Sequence, residues 1–208
     1  MKYIGEFKKY FAGEKSFTFK DAAMLLRHFG ASDAYAKLFI HKMLVNKAIM
    51  RIGKGVYTFS KDEAVVGFAF TPFYYGLEHA LTIRGLWTQV SGPVVITSTG
   101  AKAGIRQAMG VRIMVRRISK KAFFGYEYIR HSSIIVPVSD LEKTLVDFVY
   151  YGIGIDNGEI KRLVFKADWK KLIKYSKRAG INPRVFEKAL TASSRDLRAA
   201  TRCSSDLR

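Results

Sequence analysis

Two hydrophobic periods alternate along the first sixty residues. Apolar side chains at Tyr3, Ile4, Phe7, Tyr10 and Phe11 recur at spacings of three and four, which puts them on one face of an amphipathic helix. "SFTF" at 16–19 switches to the two-residue alternation of a short strand. Ala22, Ala23, Leu25, Leu26 and Phe29 return to helical spacing, and Gly30, which tolerates the left-handed conformation, marks the stop. Ser32 is placed to cap a third helix, 34–47, with Ala36, Phe39, Ile40, Met43 and Leu44 inward. Tyr35, Lys37, His41 and Lys42 fall on its other faces. "IMRIGKGVYTF" at 49–59 reads as two short strands around Gly53-Lys54-Gly55, where glycine permits the positive φ of a tight tip. On its own this is an ordinary hairpin with a soluble turn. The order helix, strand, helix, turn, helix and ribbon predicts a winged helix-turn-helix over 1–60.

The pattern changes after Phe59. "SKDE" at 60–63 reads as a linker or the start of a connecting helix, and marks a boundary. Residues 71–87 read as a turn followed by a helix, and strands are expected at 93–98, 111–118, 125–129 and 134–138. "SDLEKTLVDFVYYG" opens with a capping box of Ser139 and Glu142 and carries Leu141, Leu145, Phe148 and Val149 on one side. Helical patterns follow at about 158–165, 168–179 and 183–190, the last with Asn182 as cap and Pro183 at its first position. The fold class is therefore α+β: the N-terminal unit, then 61–190 with a small mixed sheet and terminal helices. Residues 191–208 are poor in apolar side chains and nearly repeat "SSRDLR" as "SSDLR", so they read as a disordered tail, native or appended.

Composition narrows the chemistry. The 208 residues are 49% apolar, enough to bury a core, and hold no run of about 18 uncharged apolar residues and no apolar leader. A soluble, cytoplasmic protein with no membrane partner is expected. Cys203 is the single cysteine, and no Cys/His cluster has zinc spacing, so no disulfide, metal or cofactor is indicated. The charge is more informative: 36 Lys+Arg against 17 Asp+Glu give +19. Residues 1–60 hold 11 basic and 4 acidic side chains (+7), 61–150 hold 11 and 7 (+4), and 151–208 hold 14 and 6 (+8). Such self-repulsion calls for an anionic partner, and nucleic acid leads over a membrane or the ribosome.

Two basic faces are candidate sites. In the first, Ser32, Tyr35, Lys37, His41 and Lys42 on the third helix, with Lys54 on the hairpin tip, are candidate DNA contacts. The lysines suit phosphates, while Tyr35 and His41 suit base edges or sugars. In the second, "DWKKLIKYSKRAG" sets Trp169, Leu172 and Ile173 inward and Lys170, Lys171, Lys174, Lys177 and Arg178 outward. That stripe suits a second stretch of nucleic-acid backbone, or RNA, and equally a solvated basic face.

Enzyme signatures are weaker. "TSTGAKAG" after a strand lacks the Gly-Lys-Ser/Thr ending of a phosphate loop. Glu159-Ile160-Lys161 matches the Glu-x-Lys of metal-dependent nucleases, but 8 Glu and 21 Lys make about one such triplet expected by chance, and this one lies in a helical pattern. Asp140 and Asp147 are explained by a helix start and an exposed face, and His28, His41, His79 and His131 are scattered.

"SFTFKDAAMLL" followed by "KLFIHKMLVNKAIMRIGKGVYTF", then "YYGLEHALTIRGLWTQVSGPVVITSTG" and "VPVSDLEKTLVDFVYYG", resemble the AbiEi-type antitoxins and transcriptional regulators of type IV, abortive-infection toxin-antitoxin systems. The resemblance spans about 3–180. Gly55, Val56 and Tyr57 fill the family's Gly-x-Tyr wing ending, and Glu142, Lys143, Leu145 and Asp147 its Glu-Lys-x-Leu-x-Asp helix. Ala48 stands where the family commonly has glycine. The resemblance implies a non-enzymatic, sequence-specific regulator that binds a double-stranded operator through the winged helix and represses its own operon. It also implies a functional partner, a nucleotidyltransferase toxin, counteracted by the C-terminal domain. The alternatives are a metal-dependent nuclease carrying a DNA-binding module and an RNA-binding protein.

Overall fold

The computed structural model describes residues 2–89, 91–154 and 157–191. The tail assigned to 191–208, Cys203 included, lies outside them apart from the backbone of Thr191. The chain is mixed α and β. Its elements run α1 (Ile4–Phe11), β1 (Phe17–Thr18), α2 (Phe19–His28), α3 (Asp33–Val45), β2 (Met50–Gly53) and β3 (Val56–Thr58), then a 3-10 helix (Glu63–Phe70). There follow β4 (Phe73–Tyr75), α4 (Leu77–Ile83), β5 (Val94–Thr97), β6 (Gly104–Ala108), β7 (Val111–Arg117), β8 (Tyr126–His131) and β9 (Ile134–Ser139). Four helices complete the described chain: α5 (Leu141–Tyr150), α6 (Asn157–Lys166), α7 (Trp169–Arg178) and α8 (Pro183–Thr191).

Local chemistry sets the N-terminal elements. Thr18 accepts from the Asp21 amide, and the Asp21 carboxylate accepts from the Thr18 amide, a reciprocal cap that starts α2. Gly30 ends that helix at φ +82°, and the Ser32 hydroxyl accepts from the Tyr35 amide to start α3. At the end of α3, Ala48 N–H donates to the Met43 carbonyl and Lys47 N–H to that of Leu44. Lys47 takes the left-handed conformation at φ +52°. The turn therefore needs no glycine at position 48, because its left-handed residue lies one place earlier. β1, β3 and β2 form an antiparallel sheet in that order. Phe7, Phe11, Phe17, Leu26, Phe39, Met43, Ile49 and Tyr57 fill the core beneath it.

Of the two readings of 60–63, a linker or the start of a connecting helix, the structure shows the second, with a 3-10 helix from Glu63. Asp62 caps the 3-10 helix, which buries Ala64, Val65 and Val66. Ala69 lies so close to Gly53 that a Cβ there would meet it at 2.8 Å. The two glycines of the hairpin thus do different things: Gly55 supplies a positive φ of +69°, and Gly53 supplies room.

The larger sheet is mixed, in the order β6-β7-β5-β4-β9-β8. The central pair β4–β5 and both outer pairs are antiparallel, and the two pairs between them, β5–β7 and β4–β9, are parallel. Phe73, Tyr75, Val95, Val115 and Val138 face the 3-10 helix. Tyr74, Val94 and Ile96 face a second core with Leu81, Leu145, Phe148, Leu163, Leu172 and Phe186 of the helices. Two strands depart from expectation. β4 occupies what reads as a turn, and β6 forms an edge strand just after "TSTG", so no helix follows β5 where a phosphate loop would need one.

Helix α5 corrects two further expectations. Asp140, not Ser139, is its N-cap and accepts from the Lys143 amide at 2.7 Å; Ser139 ends β9, with its hydroxyl 2.7 Å from that of Thr144. Asp147 is not on an exposed face. All residues from Glu142 to Val149 are buried, and Asp147 is fully enclosed, paired with Lys143 one turn before it and accepting from the Tyr74 hydroxyl at 2.9 Å. Burial pushes Asp147 above the usual carboxylate range and Lys143 below the usual ammonium range, and each group draws the other back. Asp147→Ala is expected to leave an uncompensated buried charge and cost about 3–5 kcal/mol in urea denaturation. The double change Lys143→Met with Asp147→Leu should recover most of that loss.

Candidate nucleic-acid interface

Helix α3 is buried along Ala36, Phe39, Ile40 and Met43. At about 100° per residue, the direction opposite that face carries Ala34, Leu38, His41 and Val45. All four are exposed, Leu38 by 49% and Val45 by 65%. Lys37 and Lys42 are also exposed, and the same geometry sets them about 70° to either side of this ridge. The face away from the core is thus an aliphatic ridge with one histidine, edged by a cation on each flank.

The remaining candidates divide. Lys54 is exposed at the tip between β2 and β3. The Ser32 side chain is occupied in capping. Tyr35 is half-buried; its hydroxyl donates to the Lys2 carbonyl at 2.9 Å, and its ring packs against Tyr3 and Phe39. Its donor is therefore committed within the protein, and we assign it to packing. Lys47 and Arg51, absent from the sequence-derived set, are exposed on the path from α3 into β2. Leu38 and Val45 were missed because apolar residues lie all round α3 and leave no single stripe. Their signal was that surplus itself.

The second basic face is smaller than expected. Lys170, Lys174, Lys177 and Arg178 are exposed within an arc of about 100° on α7. Arg178 sets its guanidinium 4.1 Å from the centre of the Phe124 ring. Lys171 does not belong to this stripe. It bridges the carboxylates of Asp140 (3.1 Å) and Glu142 (2.8 Å), which outweigh its partial burial and hold its pKa above the usual ammonium range. Glu142 also accepts from the Asp168 amide, so this cluster ties the start of α7 to α5. Trp169, expected inward, is 44% exposed.

Glu159, the candidate nuclease carboxylate, is on helix α6 and paired with Arg162 at 3.0 Å. Among the described residues no group of three or more His, Cys, Asp or Glu side chains is placed to hold a metal ion. None of the described helices is long and apolar enough to cross a membrane. No protein-family model matches the chain, and no curated protein matches its sequence.

One histidine is strongly perturbed. His79 on α4 is buried, its ring stacks edgewise on Tyr75, and its Nδ1 has no partner. Burial, with His131 at 6.0 Å adding repulsion, pushes its pKa down to about 4. An unfolded chain regains the ordinary value near 6.5 and takes up the proton first. The stability His79 contributes is therefore complete above about pH 6.5 and lost as the pH falls towards 4. Urea titrations from pH 7 to 4.5 are expected to show this decline, and His79→Asn should reduce its slope.

Proposed function

We propose that the chain is a sequence-specific, double-stranded DNA-binding transcriptional regulator whose residues 1–60 act as a winged helix-turn-helix. The observation that carries this reading is the outward face of α3. A major groove about 12 Å wide admits one helix about 10–12 Å across, with a phosphate wall on each side and base edges ahead. A helix for that groove wants cations on its flanks and short side chains on its crest. Lys37 and Lys42 meet the walls; Ala34, Leu38 and Val45 meet base edges, where aliphatic groups pack on thymine methyls; and His41 supplies the hydrogen-bonding group. Lys54, with Lys47 and Arg51 behind it, reaches phosphates from the hairpin, which acts as the wing.

The element order α1-β1-α2-α3-β2-β3 and the basic N-terminal segment support the same reading. The resemblance to AbiEi-type antitoxins adds a biological setting, repression of its own operon beside a nucleotidyltransferase toxin. That setting rests on the sequence motifs alone.

The reading is tested by selecting duplexes from a random pool and titrating the winner against salt. Lys37→Ala, Lys42→Ala and Lys54→Ala combined should weaken binding and flatten the slope of log K against log salt by about 0.9 per lost phosphate contact. An unchanged slope contradicts the assignment. Replacing thymine by deoxyuridine in the selected site, which removes only methyl groups, should weaken the wild type and leave Leu38→Ala unaffected.

A further inference from the structure

We propose that the corner between α6 and α7 is a binding surface for unpaired RNA, separate from the α3 face. Phe165 is 93% exposed, more than any other large apolar side chain among the described residues. It lies about 170° round α6 from the midline of Ile160 and Leu163, the residues that anchor that helix in the core. No rearrangement within the helix brings it inward without removing those anchors. Leaving such a ring in water forgoes the stabilisation that burial of a phenylalanine ordinarily supplies.

Its surroundings identify the occupant. Lys161, one turn earlier on the same face, and Lys166, the next residue, are exposed, as are Trp169 and Lys170 where α7 begins. Phe165 and Trp169 are at most about 14 Å apart along the chain. Lys174 and Lys177 continue the positive charge down α7. The two cations of this region that are tied to carboxylates, Arg162 and Lys171, are not part of the surface. Aromatic rings standing out among cations match what an unpaired strand presents, base faces that stack and phosphates that need neutralising. In a duplex the base faces are already stacked on one another. A lipid surface or a second apolar protein face would use the rings but not a stripe of lysines running away from them. Of the two polymers, RNA offers splayed bases in loops and ends without duplex opening, so we assign the site to RNA.

This inference does not depend on the duplex-binding proposal, and the test separates them. The full-length protein is titrated against a fluorescently labelled, unstructured RNA of about 12 nucleotides, with the DNA strand of the same sequence and a duplex as further arms. Trp169 emission, isolated in a Trp87→Phe background, and anisotropy are both read. RNA is expected to quench Trp169 and to bind through this surface, and the DNA strand, which presents the same base faces and phosphates, to compete for it. Phe165→Ala should weaken RNA binding roughly tenfold, Phe165→Trp should preserve it, and neither should change duplex affinity or thermal stability. Equal RNA affinity of wild type and Phe165→Ala overturns the proposal. So does a wild type that self-associates through Phe165 and binds no RNA.

Discussion

The contact on which the N-terminal half depends is the enclosure of Phe7. Its fully buried ring lies within 4.8–6.2 Å, centre to centre, of Phe11, Phe17, Phe39 and Phe59. One side chain thereby joins α1, β1, α3 and the segment leaving the hairpin. Aromatic rings at this spacing bury large areas in fixed orientations, and losing a buried phenylalanine costs roughly 3–5 kcal/mol. The functional consequence is rotational. With Phe39 held against Phe7, α3 cannot turn about its axis, and the ridge from Ala34 to Val45 faces outward with a lysine on each side. The outward presentation of this ridge and its two lysines is a by-product of how tightly the opposite face is packed.

The second half is organised by different physics. Around α5 a buried pair, Lys143 and Asp147, is closed off by the Tyr74 hydroxyl, and a partly exposed cluster of Asp140, Glu142 and Lys171 holds the start of α7. Charge pairs of this kind add little net stability against an apolar replacement, but they tolerate few alternative registers. They fix where α7 begins. That leaves Phe165 and Trp169 on the outside of the preceding corner, with the exposed lysines of α7 beyond them.

Legibility of the fold followed the physics of each segment. Helices α1 and α2 and strands β5, β7, β8 and β9 could be read because one face of each is apolar and the other is not, or because turn residues bound a short apolar run; α3, apolar all round, could be read from the stop at Gly30 before it, its cap at Ser32 and its length. Strand β4, with Phe73, Tyr74 and Tyr75 all buried, and the 3-10 helix with its run Ala64-Val65-Val66 have no polar face, so no period shows. Ser139 and Asp140 are both competent caps one residue apart, and only the register of β9 decides between them. Asp147 reads as exposed because a charge is ordinarily solvated, although its partner Lys143 stands four residues away in plain view. Lys171 shares its spacing with the α7 stripe; the carboxylates that claim it are about thirty residues distant in sequence. For the candidate sites, cations were legible as a class, while Leu38, Val45 and Phe165 were not, because an apolar residue signals function only once its exposure is known.

The central claim is that the ridge of α3 lies against bases while the rest of the molecule stays off them. A photo-crosslinking phenylalanine analogue placed singly at Leu38, or at Tyr128 on the exposed edge strand β8, measures this directly on a selected duplex. Adducts to bases from position 38 and none from position 128 are the result the account predicts. A protein that binds the duplex tightly yet gives no base adduct from position 38 would contradict it.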